Sequence, residues 1–300
     1  MARQRGSCAL LALLVCGFLA AVALVELYFA AATYTKHELL LEQLQLRTLA
    51  GSVMQGLAQT ADAESPQSFV LYPGQKTATL TSTSTSSTDS SFSELRVTAA
   101  TARSQAVCQR LTFTPSPELQ ALAQSYGLIA SYGITNSNYL PDGTLYTSNT
   151  KITVPSVDFL EERASTTLDL DDLHQNGGNH AFVYLPDSST TYQLTYSKDE
   201  PRTQGALLIA TPGHVTIADN FNFSGLLILI TKRGAVTLGK NVTLDSALII
   251  SKGRLTIGSN CKLTGIFMAQ DKIVLDGTCK LTQDASVVAP FSSYITSVLP

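Results

Sequence analysis

An internal repeat of about 20 residues in the C-terminal third limits what this chain can fold into more than any other feature. Each copy opens with a small or polar residue followed by aliphatic residues. The copies start at Gly205, Gly225, Ser246 and Gly265, and an incomplete copy covers 284–288. The starting residues lie 20, 21, 19 and 19 positions apart, so they mark successive turns of a repeating structure.

Each copy also contains two shorter elements in which apolar and polar residues alternate. The second elements are 215–217, 236–238, 255–257 and 273–275, and the third elements are 221–223, 242–244, 261–263 and 279–281. Alternation predicts a strand with one buried face. Three short strands in each turn of about 20 residues predict a parallel β-helix, in which stacked turns bury a core that no single copy could bury.

The residues between the elements predict how the β-helix bends and ends. Each third element is preceded by Asn or Thr, at Asn220, Asn241, Asn260 and Thr278. Asn suits a bend with positive φ, and stacked Asn side chains can hydrogen-bond along the axis. Residues 181–196 are interpreted as an earlier, irregular coil, and Asp284 and Pro290 fit an end cap.

The first element of each copy differs because it is apolar on both faces. This pattern covers 207–210, 226–230 and 248–250. Strands of this kind are covered on both sides. The outer cover comes from residues 156–176, from residues 119–155 or from a partner protein, and a cover from the chain itself is favoured.

An apolar segment at the N terminus predicts a membrane anchor. No residue from 8 to 25 is charged, and Arg3 and Arg5 precede this segment. About 18–20 apolar residues are long enough to span a bilayer as a helix. The two arginines place the N terminus in the cytoplasm and the remainder outside. The alternative is a cleavable secretory signal, whose apolar core is usually only about 7–15 residues.

The apolar segment continues without a break into an amphipathic helix over 35–47. Leu39, Leu40, Leu44 and Leu46 are expected to cluster on one side of it at helical spacing. A retained anchor in one transmembrane and extended helix over 7–62 is therefore favoured over a discarded signal.

The middle of the chain is polar and rich in strand-forming residues. Residues 79–93 are almost all Ser and Thr, which fits either a flexible or glycosylated stalk or an exposed hairpin. A small antiparallel sheet closing at Pro115 and Pro117 is favoured. Further along, 128–135, 143–146 and 151–154 predict short strands, and 158–163 and 168–174 predict helical pieces.

The start of the chain resembles PilX-like minor type IV pilins over about its first 60 residues. The likeness rests on Arg-Gln-Arg-Gly-Ser at 3–7, the Leu/Ala/Val-rich helix and its polar continuation. It implies a prepilin peptidase that cuts between Gly6 and Ser7, and other pilins or pseudopilins as partners of the helix. Leu11 stands where major pilins carry Glu, which argues against a major, polymer-forming subunit. Together with the β-helix, this start resembles a group of pilus-assembly proteins.

Two cysteines occupy equivalent positions one turn apart in the repeat, Cys261 and Cys279. Turns of a β-helix stack about 4.8 Å apart, within the Cα separation that permits a disulfide. Such a bond is plausible in an exported domain. The alternative, which is favoured, is a pair of buried small hydrophobes, because Val242 and Phe221 fill the same position in other turns.

Other chemistry finds little support in the sequence. His37, His174, His180 and His214 lack metal-ligand spacing, and the acidic cluster at 169–172 lacks the regular oxygen spacing of a Ca²⁺ loop. Asp219, Asp245 and Asp276 fall in different registers, so a carbohydrate-acting enzyme is disfavoured. Lys and Arg total 20 against 23 Asp and Glu, which argues against a nucleic-acid-binding domain. No cofactor is indicated.

The sequence therefore predicts a mainly β protein with five parts. They are a prepilin-like leader (1–6), a transmembrane and extended helix (7–62), a small β-rich region (66–118), a mixed segment that packs on or starts the solenoid (119–180) and the β-helix (181–300). The expected function is structural, in a type IV pilus or related secretion filament. The lipid bilayer, prepilin peptidase and other pilins are its partners, and the C-terminal domain lies outside the cytoplasm. The alternative is a permanently anchored β-helix adhesin or cell-envelope scaffold.

Overall fold

The computed structural model describes residues 2–57, 67–72, 76–165, 181–195 and 205–299, without side chains at 2–18, 20, 57, 181 and 294–299. It divides into two compact units. One comprises 1–82, 97–108 and 296–300, and the other comprises 83–96 and 109–295. The predicted helical pieces at 168–174 lie outside the described residues.

Almost all of the described elements are strands. The helices are α1 (Ala2–Leu57) and α2 (Pro117–Ser125), with short 3₁₀ helices at Ser137–Tyr139, Val157–Leu160 and Ala285–Val288. The strands before residue 181 are β1 (Gln67–Leu71), β2 (Lys76–Ser86), β3 (Phe92–Ala100), β4 (Gln105–Phe113), β5 (Leu128–Ala130), β6 (Ile134–Thr135) and β7 (Tyr146–Thr147). The later strands are β8 (Ala181–Tyr184), β9 (Thr191–Leu194), β10 (Ala206–Thr211), β11 (His214–Ile217), β12 (Asn222–Thr231), β13 (Val236–Leu238), β14 (Thr243–Ser251), β15 (Leu255–Ile257), β16 (Cys261–Ala269), β17 (Ile273–Leu275), β18 (Cys279–Gln283) and β19 (Phe291–Leu299).

The Ser/Thr-rich segment forms a hairpin, as the favoured interpretation predicted. The segment supplies most of β2. This strand belongs to a five-stranded sheet with the order β1-β2-β3-β4-β19. The connections at 87–91 and 101–104 are too short for anything but antiparallel neighbours. In contrast, the strand predicted over 151–154 does not form, and the helix predicted over 158–163 is reduced to the 3₁₀ turn Val157–Leu160.

The predicted parallel β-helix is confirmed, as a solenoid of about seven turns over residues 128–283. Its first sheet has the order β7-β5-β16-β14-β12-β10-β8, and its second has the order β6-β17-β15-β13-β11-β9. The second elements pair in the predicted register, for example Val215 with Val236 and Val236 with Leu255. The third elements also pair as predicted, for example Phe223 with Leu244.

The first elements pair one residue away from the predicted register in two places. Leu226, not Gly225, lies opposite Ser246, and Ala247, not Ser246, lies opposite Gly265. Each third element runs directly into the next first element as one strand, and a register shift at the join absorbs the difference. The predicted register was wrong here because a one-residue slip exchanges the two faces of a strand. These strands are apolar on both faces, so their sequence pattern does not distinguish the two registers.

The last turn of the solenoid is built from two distant parts of the chain. β18 pairs with the first half of β16, whereas β5 pairs with its second half and β6 pairs with β17. The incomplete copy predicted over 284–288 is therefore wrong. Asp284 instead caps the 3₁₀ helix Ala285–Val288, accepting a hydrogen bond from the backbone N–H of Ser286 at 2.9 Å.

Alternate residues of the first elements face two different cores. Leu207, Leu229, Ile249 and Phe267 are among those that point into the solenoid, where they meet the inward residues of the second and third elements. Their neighbours point outward and are covered by residues of the chain itself, as predicted. The covering residues include Leu119, Ala123, Ile152, Val157, Leu160, Val287 and Val288.

The asparagine bends form as the sequence predicted. Asn220, Asn241 and Asn260 have φ values of 63°, 57° and 59°. The amide of Asn241 donates a hydrogen bond of 2.9 Å to the side-chain oxygen of Asn220. Because Asn tolerates left-handed backbone better than most residues, these positions turn the chain at the same corner of successive turns.

Candidate functional site: the uncovered segment of the long helix

The N-terminal part of α1 carries large apolar side chains that nothing in the described structure covers. Leu24 and Leu27 are each 69% exposed, Tyr28 is 73% exposed and Phe29 is 65% exposed. The exposed series runs from Leu19 to Leu44 and also includes Val22, Val25, Tyr34, Leu39, Leu40 and Leu41. Soluble monomers rarely expose continuous apolar patches of this extent, so this surface is a candidate interaction site.

The C-terminal part of α1 buries a stripe of residues on one face. Glu42, Leu46, Ala50 and Met54 recur every fourth residue and are all nearly inaccessible to solvent. Residues four apart lie on the same helix face, so this stripe packs into the unit that contains α1. Of the leucines expected to cluster on one side of this helix, Leu39, Leu40 and Leu44 are exposed and Leu46 is buried.

Glu42 fixes this part of the helix to strand β2 and to the loop after β3. Its side chain is buried, and one carboxylate oxygen accepts a hydrogen bond of 2.5 Å from Nζ of Lys76. The other oxygen accepts a hydrogen bond from the hydroxyl of Thr101. Lys76 also pairs with Glu38, one helix turn earlier, at 3.1 Å.

The charges around Glu42 set its protonation. Burial alone would raise the pKa of Glu42, but the hydrogen bonds from Lys76 and Thr101 and the positive charges of Lys76 and Arg103 outweigh it and lower that pKa. The hydrogen bonds to Glu42 and Glu38 raise the pKa of Lys76. The pair is therefore ionised near neutral pH and joins the helix to the sheet by charge as well as by packing.

A pocket of about 440 Å³ lies beside this contact. Tyr34, His37, Tyr72 and Lys76 are among the residues that line it. The amide of Gln45, also in the lining, donates a hydrogen bond of 3.1 Å to the backbone oxygen of Tyr72. The rest of the lining combines the carboxylates of Glu38 and Glu42 with Leu41 and Leu71.

The predicted processing residues lie far from this contact along the same helix. The backbone of Gly6 and Ser7 is helical within α1, and their side chains lie outside the described part. Cleavage between them stays a prediction. Within the described residues, no helix is both long enough and apolar enough to traverse a bilayer.

The two cysteines of the repeat lie side by side in the solenoid. Cys261 and Cys279 are Cα partners in β16 and β18, and both are buried, free thiols. The Cys261 thiol donates a hydrogen bond of 3.2 Å to the backbone oxygen of Gly239. Burial raises the pKa of Cys261, and it raises the pKa of Cys279 to about 11. Both side chains pack into the core of the solenoid as small hydrophobic residues. The disulfide stays a prediction.

We expect both thiols to be unreactive in the folded protein and fully reactive once it is unfolded. Burial and a raised pKa both suppress the thiolate that alkylating reagents require. Peptide mapping after iodoacetamide treatment at about pH 8, with no reductant present, measures this directly. Labelling of Cys261 and Cys279 only after unfolding is the expected result. Absence of label in the unfolded, unreduced protein would instead demonstrate the disulfide.

The other candidate residues do not converge on a site. Asp219 accepts a hydrogen bond of 2.7 Å from the backbone N–H of Lys240, and Asp245 and Asp276 are exposed. In the part of the chain that the structure describes, no three His, Cys, Asp or Glu residues are grouped to hold a metal. His174, His180 and the acidic cluster at 169–172 lie outside the described residues.

Sequence reasoning missed two polar contacts. The first is the contact of Glu42 with Lys76 and Thr101 inside the unit of α1, and the available signal was a carboxylate on the same helix face as Leu46 and Met54. A second joins Arg163 Nε to Glu94 Oε2 at 2.8 Å.

Comparisons of the chain with protein-family models, with curated proteins and with solved structures give no match.

Proposed function

We propose that this chain is a structural component of a type IV pilus or a related secretion filament, of the minor pilin or pseudopilin kind. The observation that carries the proposal is the division of α1 into two parts. Residues 42–54 are held within their own unit by a buried stripe, whereas apolar residues from 19 to 44 are uncovered. A helix built in this way presents its apolar part to something outside its own unit.

Two environments suit the N-terminal part of α1. A bilayer accepts a helix whose backbone hydrogen bonds are satisfied internally, and we propose that the uncharged residues 8–25 enter it, since Glu26 and Lys36 interrupt the uncovered segment further along. Helices of other pilins or pseudopilins would cover the same surface in a filament. We propose that the segment occupies both in turn, first anchored in the membrane with the N terminus in the cytoplasm and then packed among neighbouring subunits.

The solenoid then serves as the exported head of the subunit. Its strands pair in parallel from β8 to β16, which makes a body suited to capping or surface contact. Three of its candidate side chains have structural contacts, since Asp219 accepts a backbone hydrogen bond and Cys261 and Cys279 are buried. A structural role fits these features better than an enzymatic one.

Changing Gly6 tests the proposal at the processing step. In cells that contain a prepilin peptidase, the wild-type protein is expected to begin at Ser7, and Gly6→Leu is expected to keep Met1. Gly17→Leu is the matched control, because it makes the same substitution within α1 away from the cleavage site, and it should be processed normally. N-terminal sequencing and intact mass measure all three proteins.

Retention of residues 1–6 by the wild-type protein in those cells would reject the filament proposal. The chain would then be a permanently anchored β-helix adhesin or envelope scaffold. Loss of a longer N-terminal segment, including the helix, would reject both and indicate a secretory signal.

A further inference from the structure

The repeats over residues 205–283 have the opposite charge to the chain as a whole. Residues 205–283 contain eight lysines and arginines against four aspartates, a local net charge of +4 in a chain whose net charge is −3. The composition of the whole chain conceals this difference. A basic set of repeats within an acidic chain indicates an anionic partner for those repeats.

Five of the eight cations lie at one corner of the solenoid, between the first and second sheets. We call this set the cationic corner, and it comprises Lys232, Arg233, Lys252, Arg254 and Lys272. Three successive turns supply them, since Thr231 pairs with Ser251 and Ser251 with Ala269 immediately before these residues. Adjacent turns lie about 4.8 Å apart, so the charges form a short column along the solenoid axis.

Backbone hydrogen bonds hold the corner in register. The N–H of Lys252 donates to the oxygen of Thr231 at 3.0 Å, and that of Val236 donates to the oxygen of Arg254 at 2.9 Å. The N–H of Leu255 donates to the oxygen of Lys272 at 3.0 Å. The positions from which the cationic side chains project are thus set by the solenoid itself, which reduces the ordering cost of binding.

Most of these charges have no partner within the described structure. Lys232 pairs with Asp158, whereas Arg233, Lys252 and Arg254 are exposed and form no ion pair with any described residue. Asp271 is the acidic residue on the third of these turns. The corner therefore keeps a net positive charge that is available to a ligand.

We propose that the cationic corner binds an anionic polysaccharide that lies along the solenoid axis. A linear polymer with a carboxylate on each repeating unit can contact a cation on each turn. Thr237 and Thr256, which are register partners on the second strands, lie next to the corner and are half-buried. Arg254 is two residues before Thr256, so both side chains lie on the same side of the extended chain. The carboxylates of the polymer would contact the cations, and its sugar hydroxyls would contact the threonine hydroxyls beside them.

Nucleic acid fits the corner less well. With Lys232 paired, the corner has four cations left to neutralise phosphates, which limits the counterion release that drives nucleic-acid binding. Single-stranded binding also needs aromatic side chains on which bases stack, and the five residues of the corner are all aliphatic cations.

Charge removal at the corner tests the proposal. The full-length protein in neutral detergent is titrated with fluorescent polygalacturonate, with neutral dextran and a DNA duplex as comparison probes. The variant Arg233→Gln/Lys252→Gln/Arg254→Gln is expected to weaken polygalacturonate binding about tenfold or more and to flatten its salt dependence. The control Lys240→Gln/Lys262→Gln/Lys280→Gln removes the same charge from other faces of the solenoid, and it should retain most of the binding.

Several results would overturn the proposal. An equal loss of polygalacturonate affinity in the two triple variants would indicate diffuse electrostatic attraction rather than a binding site. Equally tight binding to neutral dextran would show that the charge of the polysaccharide is not what the protein recognises. Tighter binding to the DNA duplex would make the corner a nucleic-acid surface. No measurable polygalacturonate binding by the wild-type protein rejects the proposal outright. Because the titration does not depend on processing at Gly6, its outcome is independent of the filament proposal.

Discussion

Replacing Gly265 with alanine is expected to lower the free energy of unfolding of the solenoid by about 3–5 kcal/mol. Gly265 has a φ of 135°, which residues with a side chain rarely adopt. A Cβ there would lie 1.9 Å from the backbone oxygen of Ala247 and 2.9 Å from its nitrogen. Because both atoms belong to the neighbouring turn, the substitution forces β14 and β16 apart where the strand bends.

Two further glycine variants separate the causes of this effect. Gly143→Ala tests positive φ alone, since Gly143 has a φ of 82° and nothing lies within 4 Å of its Cβ position, and a cost of about 1–2 kcal/mol is expected. Gly225→Ala tests the close approach, because its Cβ would lie 2.0 Å from the oxygen of Gly205. Urea unfolding followed by circular dichroism, with hydrogen exchange to locate the change, measures each variant. A Gly265→Ala cost no larger than that of Gly143→Ala would refute the argument.

The parts of the solenoid that follow a period of two were predictable from the sequence. The second and third elements alternate strictly, so only one register buries their apolar residues. The first elements carry no such information because both faces are buried, and there the predicted register slipped by one residue. Pairing of the neighbouring third elements and the register shift beside Leu226 decide the alignment instead.

The composite last turn could not be read from local sequence. β5 and β6 supply strands next to β16 and β17, although more than a hundred residues separate them along the chain. Short strands such as Leu128–Ala130 are compatible with many positions in a sheet. Their place is decided by the unpaired edge that the repeat leaves at its end, which is a property of the folded structure.

The two proposed interaction surfaces differ in how far the sequence reveals them. The uncharged run at 8–25 was expected to be an anchor, but the uncovered segment continues past it to Leu44, and its end at Glu42 depends on where β2 and Thr101 lie. The cationic corner follows from aligning the residues after each first element, but the net charge of the whole chain points the other way. Charge has to be counted turn by turn in a solenoid, because each turn presents its own residues at a corner.

Replacing Glu42 with glutamine is expected to destabilise the unit that contains α1 by about 1–3 kcal/mol at neutral pH. The carboxylate is 4% exposed and accepts hydrogen bonds from Lys76 and Thr101. Glutamine keeps the shape but loses the charge, and its amide group presents donors where the site supplies donors. Glu38→Gln is the matched control, because Glu38 pairs with the same lysine from a more exposed position, and an effect within about 0.5 kcal/mol is expected.

The pH dependence of this variant distinguishes the charge from the packing. Since the pKa of Glu42 is lower in the folded protein than its ordinary value of 4.5, the ionised carboxylate stabilises the fold above about pH 4.5. That stabilisation is lost as the pH falls through the lowered folded value. The difference between wild type and Glu42→Gln, followed by hydrogen exchange of residues 42–54, should therefore shrink steadily below about pH 4.5. A difference that stays constant from neutral to acid pH would show that Glu42 holds the helix by packing and not by its charge.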